Sequence, residues 1–157
     1  METVAVEAGT SLLTTSGMGL PSLLRLWFSG TMILSVMLAV PDTPKAVEWY
    51  RQALGADLLW SLGSVAGLEI DGAPFFLHEP VKNKFTSPQE LGTTTARVEL
   101  FVDEPDKAIA RAIQAGATGG DIKDYAVPWG THRQGGFIDP FGHIWLVGDR
   151  SPLSRFP

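Results

Sequence analysis

Apolar and polar positions along this chain fall into two stretches that repeat one another. Ala39-Val40-Pro41-Asp42-Thr43-Pro44-Lys45-Ala46-Val47 is answered by Phe101-Val102-Asp103-Glu104-Pro105-Asp106-Lys107-Ala108-Ile109. Gln52-Ala53-Leu54-Gly55-Ala56 is answered by Gln114-Ala115-Gly116-Ala117. Each copy opens on an apolar run, Ile33 to Val40 and Val98 to Val102, short enough to be a strand. Each run ends at an acidic, Pro-containing turn. Asp42 in the first copy and Asp103 or Glu104 in the second suit the helix N-cap, where a carboxylate accepts the unpaired N–H groups of the first turn. Helical spacing follows. Ala46, Val47, Tyr50 and Leu54 share one face, as do Ala108, Ile109, Ala112 and Ile113. Gly55 and Gly116 stop the helices because glycine takes the left-handed conformation without a Cβ penalty.

Short alternating runs come next. They predict strands over 57–62, 65–70 and 75–78 in the first half, and over 121–125, 133–138 and 144–147 in the second. Asp71-Gly72 is a hairpin signal, and Asp139-Pro140-Phe141-Gly142 makes the turn before the last strand. Each half is therefore βαβββ, with residues 82–94 linking them. Neither half is large enough to close a core alone. The prediction is one α+β domain of two pseudo-symmetric modules, about 32–80 and 95–149, within a domain spanning 32–150. Residues 151–157 form a tail.

Residues 1–31 are different. Leu20 to Val40 is largely apolar with Arg25 its one charge, but Pro21, Ser22, Ser29, Gly30, Thr31 and Ser35 interrupt it, a poor pattern for a membrane span. Glu2 and Glu7 stand where a secretory signal wants basic residues. The expectation is a poorly ordered arm, or an upstream extension of a chain that naturally begins at Met32, on a cytoplasmic protein. Composition narrows the chemistry. None of the 157 residues is cysteine, so disulfides, cysteine-ligated metals and thiol nucleophiles are excluded. A net charge of −5 argues against a nucleic-acid partner, which wants a basic footprint.

The paired βαβββ plan resembles the vicinal oxygen chelate superfamily of glyoxalase I, extradiol dioxygenases and bleomycin-resistance proteins. Val40-Pro41-Asp42, Glu48-Trp49-Tyr50 and Leu54-Gly55-Ala56 look like that family's passage from first strand to helix. Ala115-Gly116-Ala117 and Asp139-Pro140-Phe141-Gly142-His143 look like its second-half signatures. The resemblance implies two curved sheets around a cup-shaped cavity, often with a divalent metal held by His and Glu from the first and last strands of each module. Carried over position by position, those ligands fall on Ser35, Phe76, Arg97 and Trp145. Phenyl and indole rings offer no donor, Ser is a poor one, and Arg is a permanent cation. The expectation is no metal and no cofactor. A replacement set of His78, His132 and Glu99 is imaginable, against two ordinary half-buried histidines.

Parity from the carried-over positions places Ser35, Met37 and Ala39 inward, then Phe76 with His78, Arg97 with Glu99 and Phe101, and Trp145 with His143 and Val147. Trp60, Trp129 and Phe137 complete an aromatic lining, and Gly130 to Gly136 offers His132 and neighbouring donors. Arg97 and Glu99 face the cavity or else the outside with Val98 and Leu100 inward. His143 reads as exposed or as a cap on its turn. Apolar and aromatic walls with few polar groups suit a small molecule. The reading is a metal-free protein that sequesters an aromatic or amphipathic drug or metabolite, as bleomycin-resistance proteins do, working as a homodimer. The alternatives are a superfamily enzyme (lyase, isomerase or dioxygenase) with a non-standard metal site, or an interaction protein whose cavity is filled.

Overall fold

Asp42 opens the first helix as its chemistry requires. Its carboxylate accepts the Lys45 N–H at 3.0 Å, and the helix α1 then runs Thr43–Leu54 to Gly55, whose φ of 70° is left-handed. The structure, a computed structural model, describes residues 34–149. The expected arm over 1–31 and tail over 151–157 lie outside the described residues. Around α1 the chain forms β1 (Val36–Ala39), β2 (Asp57–Ser61), β3 (Val65–Ile70) and β4 (Ala73–His78). A short helix α2 (Pro88–Leu91), started by the Ser87 side chain, interrupts the linker. The second half is β5 (Arg97–Phe101), α3 (Pro105–Gln114), β6 (Thr118–Val127), β7 (Gly130–Ile138) and β8 (Ile144–Gly148).

Two sheets of four strands result, ordered β1-β4-β3-β2 and β5-β8-β7-β6. In each, the first strand lies parallel to the last and the other pairs are antiparallel. The repeated sequence is therefore a repeated topology, and the α+β class of two βαβββ modules stands. Strands β6 and β7 run longer than predicted, because their ladder continues through polar positions up to the Val127–Gly130 pair. Helix α3 differs from α1 at its start, since Glu104 makes no side-chain cap bond.

One face of each sheet is covered by its helix. The α1 residues Ala46, Val47, Tyr50 and Leu54 bury against Leu38, Leu68, Phe75 and Leu77. On the second sheet Ile109 and Ala112 join Phe137, Trp145 and Val147. Each large apolar side chain so covered contributes about 1.5–3 kcal/mol. The helices also pack on one another, so the core is continuous between modules. Four polar contacts reinforce that seam. Trp49 Nε1 donates to Ala115 O at 2.8 Å, Arg111 Nε to Ala53 O at 2.6 Å, and His143 Nε2 bonds Ala39 O at 2.9 Å. The fourth is the Tyr50 hydroxyl, 2.6 Å from Asp139 Oδ2.

Asp139 carries more than a turn. Its Oδ1 accepts the Phe141 and His143 N–H groups, both at 2.9 Å, and Oδ2 accepts Trp145 Nε1 at 3.0 Å beside the Tyr50 hydroxyl. Four donors satisfy a carboxylate that is otherwise buried. His143 is correspondingly buried, not exposed at the turn, because its ring spans to β1.

Candidate functional site

The uncovered face of each sheet is set by register. In the first sheet Met37 pairs with Phe76, Phe76 with Gly67, and Gly67 with Trp60, so these four positions form one row across the open face. The row holds together for a steric reason. A Cβ on Gly67 would stand 2.6 Å from the Trp60 indole nitrogen, so the indole lies directly over bare backbone. Its centroid is 5.8 Å from that of Phe76. Trp60 remains 39% exposed, Phe76 38% and Met37 47%, an apolar platform turned to solvent. Ser35 and His78 share this face. Ser35 Oγ donates to Pro74 O at 2.8 Å. His78 bonds Glu79 O through Nδ1 at 2.6 Å, and its ring stands edge-on to Phe85 at 5.3 Å.

In the second sheet the open-face rows are Arg97 with Ile144 and Ile138, then Glu99 with Leu146 and Gly136, then Phe101 with Gly148 and Gln134. Val98 and Leu100 turn toward the helix and join the core. Arg97 and Glu99 occupy the open face while Val98 and Leu100 point inward, and exposure removes any need for a buried partner. Neither makes an ion pair among the described residues.

Trp145 and Phe137 require a correction. Trp145 pairs with Val98 and Phe137, placing it on the helix side. It is 2% exposed and stacks on Phe137 at 6.1 Å with planes 10° apart. Val147 and His143 lie on that buried side too. The carried-over position was one residue out, so parity inverted on β8, and Phe137, which pairs with Trp145 from β7, turns to the helix side with it. The open-face residue beside Glu99 is Leu146. Trp129 sits half-buried in the β6–β7 turn, outside both ladders.

His132 lies on the open face near the end of β7. A Cβ on Gly148 would stand 2.7 Å from its Cε1 and 3.1 Å from its Nε2, with the Phe101 ring at 3.5 Å. The ring is thus laid over Gly148, as Trp60 is over Gly67. His132 Nδ1 is 2.7 Å from Asp149 Oδ1, which also accepts the Arg133 N–H at 3.2 Å. Asp149 is held in turn by its own N–H on Arg133 O at 3.1 Å. The sequence does not point to Asp149, because nothing marks a residue beyond the last strand as partner to one on its neighbour. Arg133 itself turns to the helix side, where its Nε and Nη2 donate to Asp106, both at 2.6 Å, and its Nη1 to Asp124 at 2.9 Å. Those carboxylates hold the guanidinium pKa above its ordinary value.

The metal positions can be tested by their donors. Ser35, Phe76, Arg97 and Leu146 give one hydroxyl already bonded to backbone, two hydrocarbons and a cation. This set does not fit a divalent ion. His78, His132 and Glu99 do not gather into a replacement, and among the described residues no three of His, Asp and Glu do.

Residues 35–147 match the family described as glyoxalase-like domain. Uncharacterized proteins of Mycobacterium bovis and Mycobacterium tuberculosis are 34% identical over 128 residues, spanning 73% of this chain and 81% and 72% of theirs. TioX from Micromonospora sp. ML1 is similar in structure, with 26% identity and a TM-score of 0.58 over 77% of this chain and all of that one, 100%. A glyoxalase/bleomycin resistance protein from Albidiferax ferrireducens shares the fold at 18% identity, with a TM-score of 0.60 over 76% of this chain and 100% of that one. The fosfomycin resistance protein FosX of Listeria monocytogenes, complexed with Mn(II) and a dihydroxypropylphosphonic acid, does so at 19% identity, with a TM-score of 0.57 over 80% and 93%.

Proposed function

This chain belongs to the glyoxalase-like domain family of the vicinal oxygen chelate superfamily, and from that membership we propose that it binds a flat, amphipathic small molecule on its open sheet faces without a metal ion. One observation carries the reading. Trp60, Phe76 and Met37 form an exposed apolar platform held in shape by Gly67. Aromatic faces of this kind stack on planar ligands or cover cations. Arg97, Glu99 and His78 supply charge and hydrogen bonds that orient the ligand. The donor set at the four former ligand positions supports binding without Lewis-acid assistance. No helix among the described residues is long and apolar enough to cross a membrane. The working form in this reading is a cytoplasmic homodimer.

The test is fluorescence of the full chain against planar cationic and glycopeptide-like compounds. A compound that binds quenches tryptophan emission, and Trp60→Ala removes the response while the melting temperature holds. A response that survives Trp60→Ala, or a full panel without any response, refutes the platform as the site.

A further inference from the structure

We propose that His132 and Asp149 form a proton-accepting dyad on the open face of the second sheet, and that the ligand it takes carries a phenolic hydroxyl. The proposal rests on the reading of the open faces as a small-molecule surface. It starts from the assignment of one proton. Asp149 Oδ1 lies 2.7 Å from His132 Nδ1 and also takes the Arg133 N–H, so the carboxylate is an acceptor and Nδ1 carries the hydrogen. In the neutral ring the lone pair is then on Nε2. That atom has no hydrogen-bond partner among the described residues, although the ring as a whole is buried. Among the described residues no fully buried polar side-chain atom lacks a partner, so Nε2, which has none there, is not sealed from solvent.

The surroundings select the ligand. Phe101 stands beside the ring across Gly148 and offers a flat apolar contact. Tyr125 lies opposite His132 on β6, and Lys123 lies opposite Gln134, one open-face pair along. Such diagonal neighbours are about 7–8 Å apart. Lys123 places its ammonium over the Tyr125 ring at 5.1 Å and makes no ion pair among the described residues. The titratable and charged groups on this face near His132 are thus Asp149, Lys123 and Tyr125, with Glu99 one open-face row beyond Phe101 on β5. Arg133, though adjacent in sequence, is committed to Asp106 and Asp124 on the other side.

A base, an aromatic contact and a cation without an ion-pair partner among the described residues match a phenol in one patch. In the step the ligand's O–H bond breaks and an N–H bond forms at Nε2. The imidazolium is stabilised by Asp149, and the phenolate oxygen is left facing Lys123. Charge is conserved, and no oxidant or further reactant is involved.

The probe is 4-nitrophenol, whose ionised form absorbs at longer wavelength. Its binding to the full chain is measured by equilibrium dialysis and its ionisation by absorbance across pH. Bound probe is expected to ionise at a proton concentration roughly tenfold higher than free probe, one pKa unit. His132→Gln should abolish that shift and Asp149→Asn reduce it. Because His132 is buried, nitrogen NMR of the unsubstituted protein gives a second readout, with the Nε2 resonance moving toward the protonated range as probe is added. Probe that binds but ionises as in water, a shift that persists in His132→Gln, or an unmoved Nε2 resonance overturns the dyad and leaves the Trp60 platform intact. Probe that does not bind, while other compounds quench Trp60, does the same. Failure of every compound at both sites removes both readings.

Discussion

Tyr50 shows how much one side chain can hold. Its hydroxyl is buried beside a carboxylate, and burial first, then the Asp139 charge and hydrogen bond, raise its pKa well above 10.0. The sign follows from the protons bound. Below about pH 10 both folded and unfolded tyrosine are neutral, so this group adds no pH dependence. Above it the unfolded chain loses the proton first, and stability falls as pH rises. Denaturant unfolding at about pH 8 and pH 10.5 should therefore show an alkaline loss that is weaker in Tyr50→Phe. That variant should also be about 1–3 kcal/mol less stable at neutral pH, having left Asp139 Oδ2 short of a donor. The sequence announces the Asp139 turn through its Pro and Gly. It does not announce Tyr50 as a partner, because the contact joins residues 89 positions apart. The same limit explains Trp145. Alternation separates the two faces of β8, but only the register against Val98 says which face the helix covers.

At the level of elements, the two helices make a natural comparison. Repetition suggested equal caps, yet Asp42 accepts the Lys45 N–H and Glu104 accepts none. Lys45 also holds the Asp42 carboxyl below its ordinary pKa through a side-chain bond. The cap is therefore present above about pH 4 and is lost as pH falls through the lowered value. Asp42→Ala should lower the melting temperature by about 3–5 °C, whereas Glu104→Ala should leave it within about 1 °C, both read by calorimetry. Helix positions and stops were legible because apolar spacing and glycine act locally. The short α2 was not, since Ser87 and Pro88 mark a start with no apolar stripe behind it. Two of the open-face glycines were also hidden. Gly67 and Gly148 matter because a ring lies on each, and that depends on a neighbouring strand.

For the molecule as a whole, the apolar open faces and unpaired edges predict assembly. Strand β2 is an edge with every residue exposed, and Leu58, Leu59, Leu62 and Ile138 add to the platform residues. Exposed edges and patches of this kind are normally covered. Sedimentation at micromolar concentration should give a two-fold dimer, and a monomer there would count against it. The pairing of modules was readable from repetition, while the way they are joined was not. That joining changes what the repeat means. Asp139 belongs to one half and its shortest donor to the other, and the α1 stripe is finished only by Phe137, Phe141 and Trp145. A cut within residues 82–94 would break no strand, yet would strand a buried anion in one fragment and an uncovered aromatic helix in the other. What looks like two copies in the chain is thus one shared core, and neither copy is complete without the other.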